Sequence, residues 1–165
     1  MTQYTTFDSP IGELLAVSDD ESLIRLDMRG GRRPVPIDPS WRRDDDAPAL
    51  AGTRSQLSQY FAGERTEFQL PMRMIGNEFE QSVWAALREI PYGETRSYGE
   101  IAREIGHPSA SRAVGLANGR NPIAVIVPCH RVIGADGSLT GYGGGLDRKR
   151  LLLDLEAGVL PLSAA

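Results

Sequence analysis

The single cysteine of the chain, Cys129, stands beside one of its two histidines, His130, in the stretch VPCHRVIG at residues 127–134, with Arg131 following. A thiol next to cationic side chains is biased toward thiolate, the nucleophilic form. An isolated cysteine is more often an inert buried residue, so the neighbours decide the reading. Pro128 fixes the backbone just before the sulfur and withholds a donor, while His130 and Arg131 add cationic character. A direct Cys-His dyad is disfavoured, because successive side chains of an extended segment point to opposite faces. A bridging water or a bend at Pro128 would couple the two. His107 precedes Pro108 in an expected turn and reads as an exposed or capping residue, which leaves a cysteine hydrolase without a remote base. A base also needs an orienting partner, and Glu156, Asp136 and Asp147 are all open candidates.

The elements that must position these residues are legible in outline. Residues 1–29 read as three short strands broken at DSPIG and SDDES. Residues 30–48 mix glycine, proline and like-charge blocks and read as a long loop with Trp41 to pin it. Leu50, Leu57, Tyr60 and Phe61 repeat near helical spacing before Gly63, and TEFQLPM alternates like a strand. From Asn77 the pattern is helical: Asn77 and Glu80 form one capping box, Ser97 and Glu100 a second, and a third helix is expected from Ser109 to Gly119. Two short helices joined by a turn beginning at Gly106 outline a helix-turn-helix, with Arg112 in the first turn of its second helix. Ile123–Val127 is apolar and β-branched and reads as buried and extended, and LDRKRLLLDLEAG closes the chain as a helix capped by Asp147 and stopped by Gly158. The expected fold class is α+β, with residues 1–75 forming a small β-rich domain and residues 76–165 a helical one.

Composition narrows the function classes. The chain has 165 residues, 41% of them hydrophobic, and a net charge of -4. Between Arg96 and Arg150, however, eight basic side chains face four acidic ones, so a locally basic segment sits in an acidic protein and can meet phosphates. One cysteine cannot form an internal disulfide, and one cysteine with two histidines falls short of the usual structural zinc set. No run approaches a membrane span, and MTQYTTFDSP lacks the features of a secretory signal, so a cytoplasmic location is expected.

IPYGETRSYGEIA, SRAVGLANGRNPIAVIVPCHRVIG and LTGYGGGLDRKRLLLDLE together resemble the O6-alkylguanine-DNA alkyltransferases, also called methylated-DNA-protein-cysteine methyltransferases. The resemblance is dense over residues 75–158 and holds only in outline before them. It implies a ribonuclease-H-like N-terminal domain and a C-terminal helix-turn-helix domain that binds the minor groove of double-stranded DNA. It implies that Cys129 takes the alkyl group from O6-alkylguanine, and from O4-alkylthymine, in one irreversible turnover. His130 would act through a water, Glu156 would orient His130, and Asn121 would hold the turn between recognition helix and active-site strand. Tyr98 would rotate the phosphate and bond the flipped base, and Arg112 would fill the vacancy. Ser97, Ala113 and Asn118 would touch DNA, and Val132, Tyr142 and Gly143 would surround the base, partly through main-chain groups of Cys129, Val132 and Gly143. No cofactor or metal is implied. The expected DNA-bound unit is a monomer, with cooperative loading left open.

Two positions depart from some relatives, which carry serine where this chain has Gly143 and proline where it has Ala124. A main-chain contact at Gly143 survives that change, although the loop loses rigidity. Three competing readings are weaker: a lesion sensor has no need of Cys129, a cysteine hydrolase has no remote histidine, and a plain helix-turn-helix regulator leaves PCHRVIG without purpose.

Overall fold

The computed structural model describes residues 1–32 and 34–159. Arg33 of the expected loop and residues 160–165 of the expected C-terminal domain lie outside the described residues. Three antiparallel neighbours open the chain: β1 (Gln3–Phe7), β2 (Leu14–Ser18) and β3 (Leu23–Met28), the meander expected from the turn-forming breaks. Their order is β3-β2-β1-β4, with Phe7 paired to Leu14 and Leu14 to Met28. The fourth strand, β4 (Arg42–Arg43), is a two-residue parallel pairing on β1 that interrupts the segment expected to be loop throughout. Trp41 packs near Tyr4 with ring centroids 6.4 Å apart. All five residues of β2 are buried, and α1 (Pro48–Phe61) packs against the sheet.

TEFQLPM is not a strand. Pro71 has no N–H to give, so contact is limited to a single bridge from Met72 to Leu23, flanked by bonds from Leu23 N to Pro71 O and Arg73 N to Leu23 O. The helical half then follows: α2 (Glu78–Arg88), β5 (Arg96–Ser97), α3 (Tyr98–Glu104), α4 (Ser111–Gly119), a one-turn 3-10 helix (Cys129–Arg131), β6 (Val132–Ile133) and α5 (Leu146–Glu156). Both capping boxes form as the sequence requires, Asn77 with Glu80 and Ser97 with Glu100. Helix α4 starts two residues later than expected, since Ala110 N bonds His107 O and Ser109 is used in that turn. Asp147 does not cap α5; Gly145, at φ 99°, occupies the cap position and Asp147 sits inside the first turn.

One apolar core runs through both halves, joining Leu26, Leu50, Leu57 and Tyr60 to Val83, Leu87, Ile101, Val114, Ile123, Val127 and Leu152. The halves are also stitched through main chain. Leu26 N donates to Pro122 O and Ala124 N to Leu26 O, so the edge of β3 is covered by the segment that leads to Cys129. Among the described residues no helix is long and apolar enough to cross a membrane.

Candidate active site

Residues 121–131 do not form the extended strand expected of them. The side chain of Asn121 closes the segment on itself: Oδ1 accepts from Ile123 N at 3.0 Å and Nδ2 donates to Val127 O at 2.7 Å. Ile126 N bonds Ala124 O and Val127 N bonds Ile123 O, which forces Val125 to φ 69°. A β-branched residue there stores strain of about 1–3 kcal/mol, held in place because Val125 is buried and its neighbours are bonded. The burial expected of this stretch is therefore present and its conformation is different, for a reason local to Asn121.

Cys129 consequently opens a 3-10 turn, where successive side chains diverge by about 120° instead of alternating across a strand. Its backbone N–H bonds Val127 O, and Arg131 N bonds Pro128 O. The three side chains separate: Cys129 lines a cavity, while His130 and Arg131 both turn into the protein toward Glu156 on α5. His130 Nε2 lies 2.7 Å from Glu156 Oε2. Arg131 grips the same carboxylate with Nε at 2.7 Å and Nη2 at 3.0 Å, and donates Nη1 to Ile90 O. Tyr60 of α1 donates its hydroxyl to Glu156 Oε2 at 2.6 Å. Of the three carboxylates open from sequence, Glu156 is the one that meets His130; Asp136 instead accepts from Ser138 in an exposed turn.

The electrostatics follow from burial. Burial alone would raise the Glu156 carboxyl, but hydrogen bonds and charge from His130 and Arg131 outweigh it and bring its pKa down to about 2. His130 is shifted down, by burial first, against the upward pull of Glu156, so its imidazole is neutral near pH 7. An ionised Glu156 accepts the Nε2 proton, which assigns Nδ1 as the acceptor nitrogen. Nδ1 is buried without a protein partner among the described residues. The Cys129 thiol is raised by burial, opposed by Asn121, by the Lys149 charge and by the amides of Cys129 and His130. This corrects the expectation that Arg131 favours the thiolate, because its charge is spent on Glu156. Lys149 is the cation that acts on Cys129.

Lys149, Arg131 and Tyr60 are the site residues that sequence reasoning missed or misassigned. Lys149 is fully buried on α5 and donates to Val132 O at 2.6 Å and Thr140 O at 2.9 Å, with its ammonium 6.0 Å from the Tyr142 ring centre. Its spacing with Leu152 and Glu156 on the buried stripe of α5 is the available clue, a charge at a core position.

The cavity beside Cys129 measures about 690 Å³ and is bounded by Leu26, Met28, Asn118, Ala124, Tyr142 and Gly143 among others. Tyr142 is buried and its hydroxyl has no partner among the described residues. Gly143 O accepts from Arg32 N, so the loop over the cavity rests on the N-terminal half. Arg148 strengthens that support by donating to Ile11 O, Gly30 O and Gly144 O at once. Val132 O faces Lys149 Nζ, leaving one lone pair.

The residues expected to meet DNA divide into two groups. Arg112 and Ala113 are exposed in the first turn of α4, and half-buried Tyr98 at the start of α3 touches Thr140 through its hydroxyl. Asn118 is not on that surface. It is 3% exposed and donates Nδ2 to Cys129 O at 3.3 Å, so the helix turns it to the cavity floor. The hydroxyl of Ser97 is engaged in capping α3. Among the described residues no group of three or more histidine, cysteine, aspartate or glutamate side chains is arranged to hold a metal ion.

Comparison with known families places these features together. Residues 78–158 match the 6-O-methylguanine DNA methyltransferase DNA binding domain, and residues 2–74 match the 6-O-methylguanine DNA methyltransferase ribonuclease-like domain. The chain belongs to the 6-O-methylguanine DNA methyltransferase family. It is 56% identical over 163 residues to a methylated-DNA-protein-cysteine methyltransferase of Mycolicibacterium paratuberculosis, covering 99% of this chain and 97% of that protein. A protein of the same description from Methanosarcina acetivorans is 54% identical over 93% of this chain and 97% of its own length. Among solved structures, that of Mycobacterium tuberculosis OGT in complex with DNA aligns at a TM-score of 0.88 and 55% identity, covering 96% of this chain and 95% of that one. In the family's terms, the ribonuclease-like domain contributes Tyr60 and Met28 to the site, and the DNA binding domain contributes Cys129, His130, Lys149 and Glu156.

Proposed function

We propose that Cys129 accepts the alkyl group of O6-alkylguanine, and of O4-alkylthymine, from double-stranded DNA, in one irreversible turnover without a cofactor. The coarser activity, DNA repair by methyl transfer from methylated DNA to a protein cysteine, comes with the family. The observation that carries the finer reading is the pairing of a cavity-lining thiol with a histidine whose acceptor nitrogen is buried and, among the described residues, unpartnered, while its other nitrogen is tied to a carboxylate. The raised thiol is protonated at neutral pH, so its proton must leave as the sulfur attacks. A water between Sγ and His130 Nδ1 passes that proton to the imidazole, and Glu156 stabilises the imidazolium. Sulfur then forms a bond to the alkyl carbon as that carbon's bond to O6 breaks, and the guanine takes up a proton, for which Tyr98 is the donor we assign. The product is a thioether, which water does not readily cleave, so the protein is consumed.

An alkyl group inside a stacked duplex cannot reach a sulfur at the floor of a cavity, so the nucleotide must turn out of the helix at a cost of a few kcal/mol. We assign Arg112, exposed at the start of α4, to the vacancy it leaves, with Ala113 beside it in the minor groove. Tyr98 turns the phosphate, Asn121 holds the strained turn, and main-chain groups of Cys129, Val132 and Gly143 with the Tyr142 ring receive the base. Ser97 and Asn118 act indirectly, through the α3 cap and the Cys129 carbonyl. We place the division of labour at residues 1–75 and 76–165, a monomer as the working unit, and the cytoplasm, where a lone thiol stays reduced, as its location.

The test is to incubate the protein with duplex carrying O6-methylguanine and weigh the peptide containing Cys129. A stoichiometric gain of one methylene, absent in Cys129→Ala, is expected. Lesion binding with no mass gain would turn the reading into a non-catalytic sensor.

A further inference from the structure

We propose that Tyr60, from the N-terminal domain, is a positioning residue for the transfer step, setting the proton affinity of His130 through the hydrogen bond it gives to Glu156. The inference rests on the relay read above. Glu156 Oε2 receives three donors from two elements: Tyr60 Oη of α1 at 2.6 Å, and His130 Nε2 at 2.7 Å and Arg131 Nη2 at 3.0 Å, both of the 3-10 turn. Arg131 also holds Oε1 through Nε, so the carboxylate cannot rotate away from Tyr60 without losing its paired contact. Tyr60 is 1% exposed and its ring is wedged among Phe61, Phe68 and Tyr92, with centroids 5.3, 5.4 and 6.3 Å away. The hydroxyl so enclosed donates to the carboxylate atom that faces His130. The residue is thus the route by which the N-terminal domain reaches the chemistry, apart from forming a cavity wall.

The consequence is a matter of charge. Each donor on a carboxylate disperses its negative charge and makes it a weaker partner for a proton on the neighbouring imidazole. The other titratable or charged groups near enough to act on this pair are Arg131 from the 3-10 turn, Tyr92 from the segment after α2 and Lys149 on α5; among the described residues only Tyr60 and Arg131 bond to Glu156 besides His130. With the Tyr60 donor present, His130 stays neutral to lower pH and is available as a base. Without it the carboxylate holds an imidazolium more strongly, and His130 is protonated before it can take the proton of Cys129.

The test compares the full-length wild type, Tyr60→Phe and Tyr92→Phe. Transfer from O6-methylguanine duplex is timed from about pH 5 to pH 9, and the His130 imidazole is titrated by NMR over the same range. The wild-type rate should fall on the acid side in step with His130. Tyr60→Phe, which keeps the ring packing, should move both the acid limb and the His130 titration up by roughly 0.5 to 1 pH unit, and Tyr92→Phe should move neither. A rate lowered equally at every pH, with both curves in place, assigns Tyr60 to packing alone and overturns the proposal. Should Tyr60→Phe fail to fold, fluorotyrosine at position 60, a stronger donor, is expected to shift both curves down, and an unmoved pair of curves overturns the proposal equally. If the wild-type limb does not follow His130 at all, the relay itself fails and the proposal falls with it. That outcome is distinct from an unmoved limb in the variant.

Discussion

Replacing Glu156 by glutamine removes one charge from a site where nothing can take its place. The Glu156 side chain is 1% exposed, and its two oxygens accept from Arg131, His130 and Tyr60. An amide keeps one acceptor and adds two donors, so at least one of those partners faces an N–H, and the buried Arg131 guanidinium loses its counter-charge. With Arg131 and His130 as donors the carboxyl is held down at about 2, so the fold favours its ionised form at neutral pH. Breaking one side of a buried ion pair costs about 3–5 kcal/mol, from the partner left behind. Glu156→Gln should therefore lose about 3–5 kcal/mol in urea unfolding at pH 7, a large share of the stability of a chain of this size. The companion variant, Glu156→Leu with Arg131→Met, removes the orphaned cation and should recover about 2 kcal/mol of that loss. A loss for the single variant below about 1 kcal/mol, or a double variant less stable than the single, would refute the charge argument.

Acid should weaken the wild type in two stages. His130 has a lowered folded pKa, so the unfolded chain takes its proton first and stability declines as pH falls below about 6.5, the ordinary histidine value. Glu156 contributes stability that is full above about 4.5 and is lost as pH drops toward about 2; a flat urea midpoint between pH 7 and pH 3 would contradict both signs. Lys149→Met should leave the buried Val132 O short of a donor at about 1–3 kcal/mol, and should raise the Cys129 thiol further. The check is the pH dependence of Cys129 labelling by a small thiol reagent, whose midpoint must move up. A Cβ at Gly31 would stand 2.9 Å from Gly143 O, so Gly31→Ala should cost about 1–3 kcal/mol and slow transfer, whereas Gly143→Ala meets nothing within 4 Å and should fold normally. Equal thermal midpoints for the two would dismiss the close approach. Arg112→Ala should slow repair of duplex far more than reaction with a free base analogue, and equal losses on both substrates would remove its role in flipping.

Much of this protein follows from local pattern. The two capping boxes, the three-stranded meander, the stops at Gly63, Gly106 and Gly158 and the pairing of α3 with α4 depend on residues within a few positions of one another, and they form as read. Where the reading fails, a distant or side-chain partner has intervened. TEFQLPM alternates, yet Pro71 withholds the donor a ladder requires. Ile123–Val127 is composed like a strand, yet Asn121 offers the backbone a closer partner and folds the segment into turns. The conclusion that Cys129 and His130 do not pair directly stands, but on the threefold spread of a 3-10 turn and not on the alternation of a strand.

By itself the sequence singled out Cys129 as the candidate acceptor and determined the helix-turn-helix outline and the family, since a single cysteine in PCHRVIG and the short-range motifs around it are one-dimensional facts. Tertiary structure alone decided which charges meet. Arg131 turns to Glu156 and not to Cys129, Lys149 takes its place beside the sulfur, Asn118 leaves the DNA face for the cavity floor, and Tyr60 joins the site across 96 residues of chain. Coulomb and hydrogen-bond energies depend on distance and burial, and sequence separation encodes neither.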